Sequence, residues 1–244
     1  MSNAGLPKIS IVTIVRNDSP GLEKTIRSVI AQTYENIEFI VIDGASDDGT
    51  VDVIKRYASK IDYWASEKDG GIYDAMNKGT RRATGAWINY MNAGDTFVGS
   101  EVLTSIDFNA LSAYVLLYGN RIRDGLVGYP NDPGVLTKGI IHANHQAMFF
   151  NKAVLGSMLY YDTRYKIYAD YELVNRIYMA FPRLIRYINL DIADSEGGGI
   201  SSVVSARKRK EKYRIVYGHY GPAGLFKAMI YRLLRRGGRS VKTK

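Results

Sequence analysis

The feature that most constrains the fold is an alternation in the first hundred residues. Short β-branched runs, ISIVTIV at 9–15, IEFIVI at 37–42, IDYWAS at 61–66 and WINYM at 87–91, are separated by stretches with helical spacing. The run centres recur about every 25 residues, the length of a right-handed βαβ unit. Ser19 and Pro20 read as N-cap and first helical residue, followed by the stripe Leu22, Ile26, Val29 and Ile30. Further helices are expected over 50–57 and 73–83. The pattern predicts an α/β fold with a mostly parallel central sheet and helices on both faces.

In such sheets ligands bind beyond the carboxyl ends of the strands. Polar loops collect at those ends: Arg16-Asn17-Asp18 after the first strand, Asp43-Gly-Ala-Ser-Asp-Asp-Gly49 after the second, Glu67-Lys-Asp69-Gly-Gly71 after the third, and Asn92-Ala-Gly-Asp95 after the fourth. Turn chemistry explains any one of these loops, but convergence of all four on one edge points to a site. No GxGxxG follows the first strand and no GxxxxGK[ST] occurs, which disfavours a dinucleotide fingerprint and a P-loop. An Asp closing the second strand can accept from a ribose hydroxyl or a base N–H. An Asp after the fourth suits a divalent cation, which favours hard oxygen ligands and would neutralise a diphosphate.

The chain has 244 residues and no cysteine, which excludes a disulfide framework, a thiolate nucleophile and Cys-ligated metal. No run of about 18 apolar residues suggests a membrane span, and no charged-then-apolar leader opens the sequence. Met1-Ser2-Asn3-Ala4 reads as an expression scar. The net charge of +9 is unevenly placed: residues 205–244 carry +12 and residues 1–204 carry −3. Within this basic tail, Leu225, Phe226, Met229, Ile230, Leu233 and Leu234 share one helical face. Such a helix either lies in an anionic membrane interface or docks on its own domain with a solvated basic back. A nucleic-acid partner is not expected, since no nucleic-acid motif accompanies the charge.

The segments ISIVTIVRND, QTYENIEFIVIDGASDDGT and DGGIYDAMNKGTRRATGAWINYMNAGD together resemble the family 2 glycosyltransferases, which have the GT-A fold. The subgroup most similar is that of bacterial O-antigen, capsule and exopolysaccharide glycosyltransferases, and the resemblance spans about residues 8–200. It implies that Thr13 and Arg16 open a nucleotide site, that Asp43 contacts uracil or ribose, and that Asp69 and Asn77 lie on the donor side. Asn92 and Asp95 fall in the metal motif, which departs from the usual DxD pattern: the first acid is an amide and the third position is Gly94, leaving Asp95 as the metal ligand. Tyr168-Ala-Asp170-Tyr-Glu172 resembles the later acidic motif in which the Asp is the catalytic base, with Glu172 as the neighbouring alternative. His145, in a His-Gln pair, either lines the donor site or meets the diphosphate or metal, or is structural. Gly197 to Ser201 resembles a loop that closes over the diphosphate or hinges into the tail, with basic residues at 207–214 as phosphate partners.

The implied organisation is a GT-A domain over 5–204 followed by a basic helical tail over 205–244. The implied activity is inverting transfer of one sugar from a nucleotide-diphosphate sugar, with UDP expected, to a glycan or polyprenyl-linked hydroxyl in surface-polysaccharide synthesis. The cofactor is Mn2+ or Mg2+, and the expected location is the cytoplasmic face of the inner membrane. The alternatives are a nucleotidyltransferase, disfavoured by the absence of a basic Gly-rich loop after the first strand, and a non-catalytic sugar-nucleotide or glycan-binding protein.

Overall fold

The structure, a computed structural model, describes residues 5–140, 142–195 and 206–237. Its first half follows the expected alternation: β1 (Ile9–Val15), α1 (Ser19–Ile30), β2 (Ile37–Asp43), α2 (Thr50–Arg56), β3 (Tyr63–Ser66), α3 (Ile72–Arg82) and β4 (Trp87–Tyr90). One boundary moves. Asp18, not Ser19, caps α1, its carboxylate accepting from the Gly21 N–H at 3.0 Å, because an ionised oxygen is the stronger acceptor for orphan helix donors. The second half adds β5 (Thr96–Phe97), β6 (Leu116–Arg123), β7 (Leu126–Gly128), β8 (Met148–Asn151), α4 (Lys152–Leu155), α5 (Ala169–Ala180), β9 (Ile185–Asp194) and α6 (Ala206–Gly237).

The sheet order is β3-β2-β1-β4-β8-β6-β9-β5, with β7 paired to β6. The strands β3, β2, β1 and β4 are all parallel, and chain order reverses between β1 and β4. Beyond β4 the sheet is mixed: β8 runs antiparallel to β4 and β6, while β9 is parallel to β6. The period-2 alternation of β1 assigns its faces. Val12 and Ile14 join the core beneath α3, α5 and α6, and Ile9, Ile11 and Val15 join the core beneath α1 and α2. Gly79 lets α3 sit down on β1, for a Cβ there would fall 2.3 Å from Val12 Cγ1.

The basic tail does not hang from the domain as an appendage. Ile215, Val216 and Ala228 of α6 are buried in the same core as β1 and α5. The helix breaks at Gly221, whose φ of 64° and ψ of −165° are not helical, and Pro222 opens its second half. That half docks through Gly224 and Ala228, while the apolar stripe faces outward: Phe226, Leu233 and Leu234 are 65%, 67% and 71% exposed. Residues 1–4, the Gly197–Ser201 loop and residues 238–244 lie outside the described residues.

Candidate active site

The carboxyl ends of β1, β2 and β4 meet where the chain order reverses, the position at which a parallel α/β sheet opens a crevice. On the β2 side, Asp43 is fully buried. Its carboxylate accepts from the Ser46 N–H at 3.0 Å and from the hydroxyls of Ser46 and Ser66. It therefore pins the 44–46 loop, and three of its acceptor sites are already occupied. That loop meets the end of β1: the Ser46 hydroxyl accepts from the Asn17 N–H at 2.7 Å, and the Asp47 N–H donates to Asn17 Oδ1 at 3.0 Å. Asn17 and Ala45 hold left-handed φ values of 50° and 58°. An alanine there costs about 1–2 kcal/mol, strain of the kind found at ligand sites. A Cβ on Gly44 would lie 2.6 Å from Asp69 Oδ2 and 3.3 Å from Arg16 Cβ and Cδ. Arg16, Gly44 and Asp69 are thus neighbours at the carboxyl ends of β1, β2 and β3.

Two other expected donor residues are turned inward. Thr13 is buried, and its hydroxyl donates to the Met91 carbonyl at 2.7 Å, tying β1 to the end of β4. Asn77 is buried in α3 and clamps Tyr161, its Nδ2 donating to the carbonyl at 2.9 Å and its Oδ1 accepting the N–H at 2.8 Å. With both amide ends engaged by backbone, these side chains hold the scaffold and are not presented to a ligand.

Asn92 to Asp95 close into a turn, with the Asp95 N–H donating to the Asn92 carbonyl at 3.0 Å and Gly94 at φ 90°. Positive φ at the third residue of a turn calls for glycine, which explains why that motif position lacks an acid. The Thr25 hydroxyl fixes the turn from α1 through the Asp95 carbonyl at 2.7 Å. Asp95 is buried, and Gln146 Nε2 donates to its Oδ2 at 2.8 Å. Burial pushes the Asp95 carboxyl above the ordinary carboxylate range, opposed by the Gln146 hydrogen bond and the nearby positive charges, including Arg121 and Lys24. Next to Gln146, His145 places Nε2 at 3.0 Å from Asn92 Nδ2 and Nδ1 at 3.8 Å from Asp170 Oδ2.

Asp170 lies in the first turn of α5, where the helix N-terminus favours a carboxylate. Its Oδ1 accepts from the Tyr171 N–H at 2.7 Å and from the Tyr73 hydroxyl at 3.2 Å. Burial and the Asp170 charge both raise the Tyr73 phenol far above its usual range, so it stays protonated and can donate. Glu172, the alternative base, is buried in an ion pair with Arg176 at 3.1 Å and lies 3.4 Å from His219 Nε2, which commits it to the α5–α6 contact. The residues His145 and Gln146 therefore join Asp95 to Asp170, and Tyr73, one turn after the Asp69 loop, joins Asp170 to the opposite wall. Sequence reasoning missed Tyr73 and also Arg121, a cation of β6 whose guanidinium donates to Ser195 and whose charge acts on Asp95. Neither carries a local signal, since both reach the site across the fold.

No group of three or more His, Cys, Asp or Glu side chains that could hold a metal occurs among the described residues. The donor set nevertheless suits a hard cation shared with a substrate, which needs only one or two protein carboxylates beside phosphate oxygens. Asp95 supplies one, and Asn92 Oδ1 is buried without a hydrogen-bond partner.

The model of glycosyl transferase family 2 matches residues 10–125. A glycosyltransferase of Mycobacterium tuberculosis is 36% identical over 181 residues, covering 70% of this chain and 68% of the relative. A PGL/p-HBAD biosynthesis glycosyltransferase of Mycobacterium bovis is 26% identical over 211 residues, covering 81% and 80%. Among solved structures, S. aureus TarS 1–349 matches with a TM-score of 0.71 at 15% identity, covering 97% of this chain and 75% of that one. The chain spans 39% of the longer TarS chain. A Pyrobaculum calidifontis mannosyltransferase in complex with GDP-Man and Mn2+ matches at 0.62 and 16% identity, covering 98% of this chain and 77% of that one. The sheet order, the crevice at its reversal and these similarities agree: the chain is a GT-A fold protein and belongs to glycosyltransferase family 2.

Proposed function

We propose that this glycosyltransferase moves one sugar, with inversion, from a nucleoside-diphosphate donor to a hydroxyl of a glycan or polyprenyl-linked acceptor, with Asp170 as the base. The observation that supports the reading is the run of contacts from Asp95 through Gln146 and His145 to Asp170. TarS, of the same fold, is known with UDP-GlcNAc, which favours a UDP-sugar donor. In the transfer, Asp170 takes the acceptor hydroxyl's proton as that oxygen bonds to the anomeric carbon. The bond from that carbon to the diphosphate oxygen breaks on the opposite face. One base suffices, since a single displacement needs no covalent intermediate. The Tyr73 hydroxyl and the Tyr171 N–H hold one oxygen of Asp170. Arg121 adds positive charge near the departing diphosphate. Asp95 and Asn92 would hold Mn2+ or Mg2+, which supplies charge neutralisation of the diphosphate.

Asp170→Asn is the decisive variant. UDP titration should be unchanged, while release of the nucleoside diphosphate (UDP from a panel of UDP-sugars, GDP from GDP-Man) with Mn2+ should fall by roughly 100-fold or more. Turnover retained in that variant would remove Asp170 as the base.

The outward stripe of α6 supports a second element of the proposal, seating on an anionic membrane surface beside a lipid-linked acceptor. Phe226, Met229, Ile230, Leu233 and Leu234 are exposed together on a helix rich in Lys and Arg. No helix among the described residues is long and apolar enough to cross a membrane. Leu233→Glu with Leu234→Glu should cut co-sedimentation with phosphatidylglycerol vesicles by about 30-fold or more, at roughly 1 kcal/mol per lost leucine plus charge repulsion. Equal binding by the double variant would end this part of the reading.

A further inference from the structure

The first half of α6 is built against the segment that leads into Asp170. The N-cap residue of α5, Tyr168, provides no side-chain cap. A capping carboxylate arrives instead from α6. Glu211 is buried, and it accepts the N–H of Lys166 at 3.1 Å, of Ile167 at 2.9 Å and of Tyr168 at 3.3 Å. Arg207 supplies a fourth donor, Nε to Glu211 Oε1 at 3.1 Å, from the preceding turn of the same helix. The other side of the segment is held from α3, where the Tyr73 hydroxyl donates to the Ile167 carbonyl at 2.7 Å and also reaches Asp170. Residues 166–168 are thus gripped by their N–H groups from α6 and by a carbonyl from α3. Asp170 follows two residues later. The contact continues along α5, with His219 at 3.4 Å from Glu172 and the Tyr220 hydroxyl donating to Asn175 at 2.7 Å.

We infer that Glu211 is a positioning residue for Asp170, so that the basic C-terminal helix forms part of the transfer machinery as well as a surface. The inference rests on the reading of Asp170 as the base. A buried carboxylate facing three backbone N–H groups fixes their directions more tightly than apolar packing would, because each charged hydrogen bond is short-ranged and directional. A displacement of about 1 Å in a reacting group can cost about 100-fold in rate.

The test uses the full chain. Glu211→Gln keeps the shape but sets an NH2 against the backbone N–H groups, whereas Glu211→Asp keeps the charge and draws it back by one methylene. Val216→Ala, which loosens α6 in the core without touching the carboxylate, is the stability control. UDP binding is read by titration, and turnover as nucleoside-diphosphate release from the donor panel with Mn2+. The expected result is a kcat lowered by about 10- to 100-fold in Glu211→Gln and by a smaller factor in Glu211→Asp, with UDP affinity and donor KM within about two-fold. Val216→Ala should unfold earlier while keeping kcat within about two-fold. Loss of Asp170→Asn turnover together with full kcat in Glu211→Gln would overturn this inference and leave the base intact. A kcat loss in Val216→Ala as large as in Glu211→Gln would overturn it too, since general loosening would then explain both. If Glu211→Gln fails to fold, Glu211→Asp decides: an unchanged kcat overturns the inference and a lowered one at constant UDP affinity supports it. Turnover surviving in Asp170→Asn would instead remove the reading on which it rests.

Discussion

His142 makes the stability of this protein depend on pH, with a sign set by its burial. The imidazole is buried, neither ring nitrogen has a hydrogen-bond partner, and its edge meets the Tyr118 ring at a centroid distance of 4.8 Å. It shares a pocket with Leu136, Met148, Phe150, Tyr161 and Asp170. Burial pulls its pKa from 6.5 down to about 4, only weakly opposed by the charge of Asp132. Below 6.5 the unfolded chain takes up a proton that the folded protein refuses, so folding loses stability as pH falls, until the folded pKa is reached. With those two values, the loss attributable to His142 between about pH 7 and pH 5 is about 2 kcal/mol. Carboxylates contribute as well: Asp95, held high, acts in the opposite direction, while Glu38 and Asp162, held low, act in the same one. A difference measurement cancels them. His142→Phe preserves the aromatic edge contact and removes the titration. Urea unfolding of both proteins across this range should show wild type losing about 2 kcal/mol more than the variant. A difference that stays flat, or that grows in favour of wild type on acidification, would show that the imidazole finds a partner or protonates in place. At neutral pH the same burial keeps the wall beside Asp170 uncharged.

Asn77→Ala should lower stability by about 2–4 kcal/mol, because it strands the buried N–H and carbonyl of Tyr161, and it should leave UDP affinity unchanged. Weakened UDP binding at an unchanged melting temperature would restore Asn77 to the donor site. The proposed binding of α6 to anionic vesicles should weaken on raising salt from about 0.05 to 0.5 M, because exposed charges are screened within a shorter Debye length. Salt-independent binding would point to apolar insertion alone.

The first four strands were legible because each carries its own evidence. A period-2 run, a short loop and a helical stripe are local facts, and the right-handed crossover then sets the order. The mixed half of the sheet was not, since β6, β8 and β9 pair across long connections that no local pattern announces. The site divides the same way. Asp95, His145 and Asp170 were visible as residue types in a recognisable order, and the structure brings them within one or two contacts of each other. Thr13 and Asn77 stood at equally suggestive positions, but their partners are backbone groups 78 and 84 residues away, and sequence spacing says nothing about such partners. Periodicity found the stripe on α6 yet could not say which face docks. The answer lies in Ala228, whose small buried side chain lets the helix approach closely, its Cβ at 3.5 Å from the Cβ position of Gly139, and the bulky apolar face is left outside.

The altered acidic motif shows how local and distant demands are reconciled. Gly94 is there for its φ of 90°, so the turn that aims Asp95 excludes an acid at that position. Asn92 turns its Nδ2 to His145, and the same histidine reaches Asp170. What the motif lacks in carboxylates thus goes with an amide that joins the Asn92–Asp95 turn to Asp170 through one imidazole. Restoring an acid at Asn92 would exchange a hydrogen-bond donor for a charge facing that ring. The physical expectation is a carboxylate drawn to that ring, rather than a better metal site.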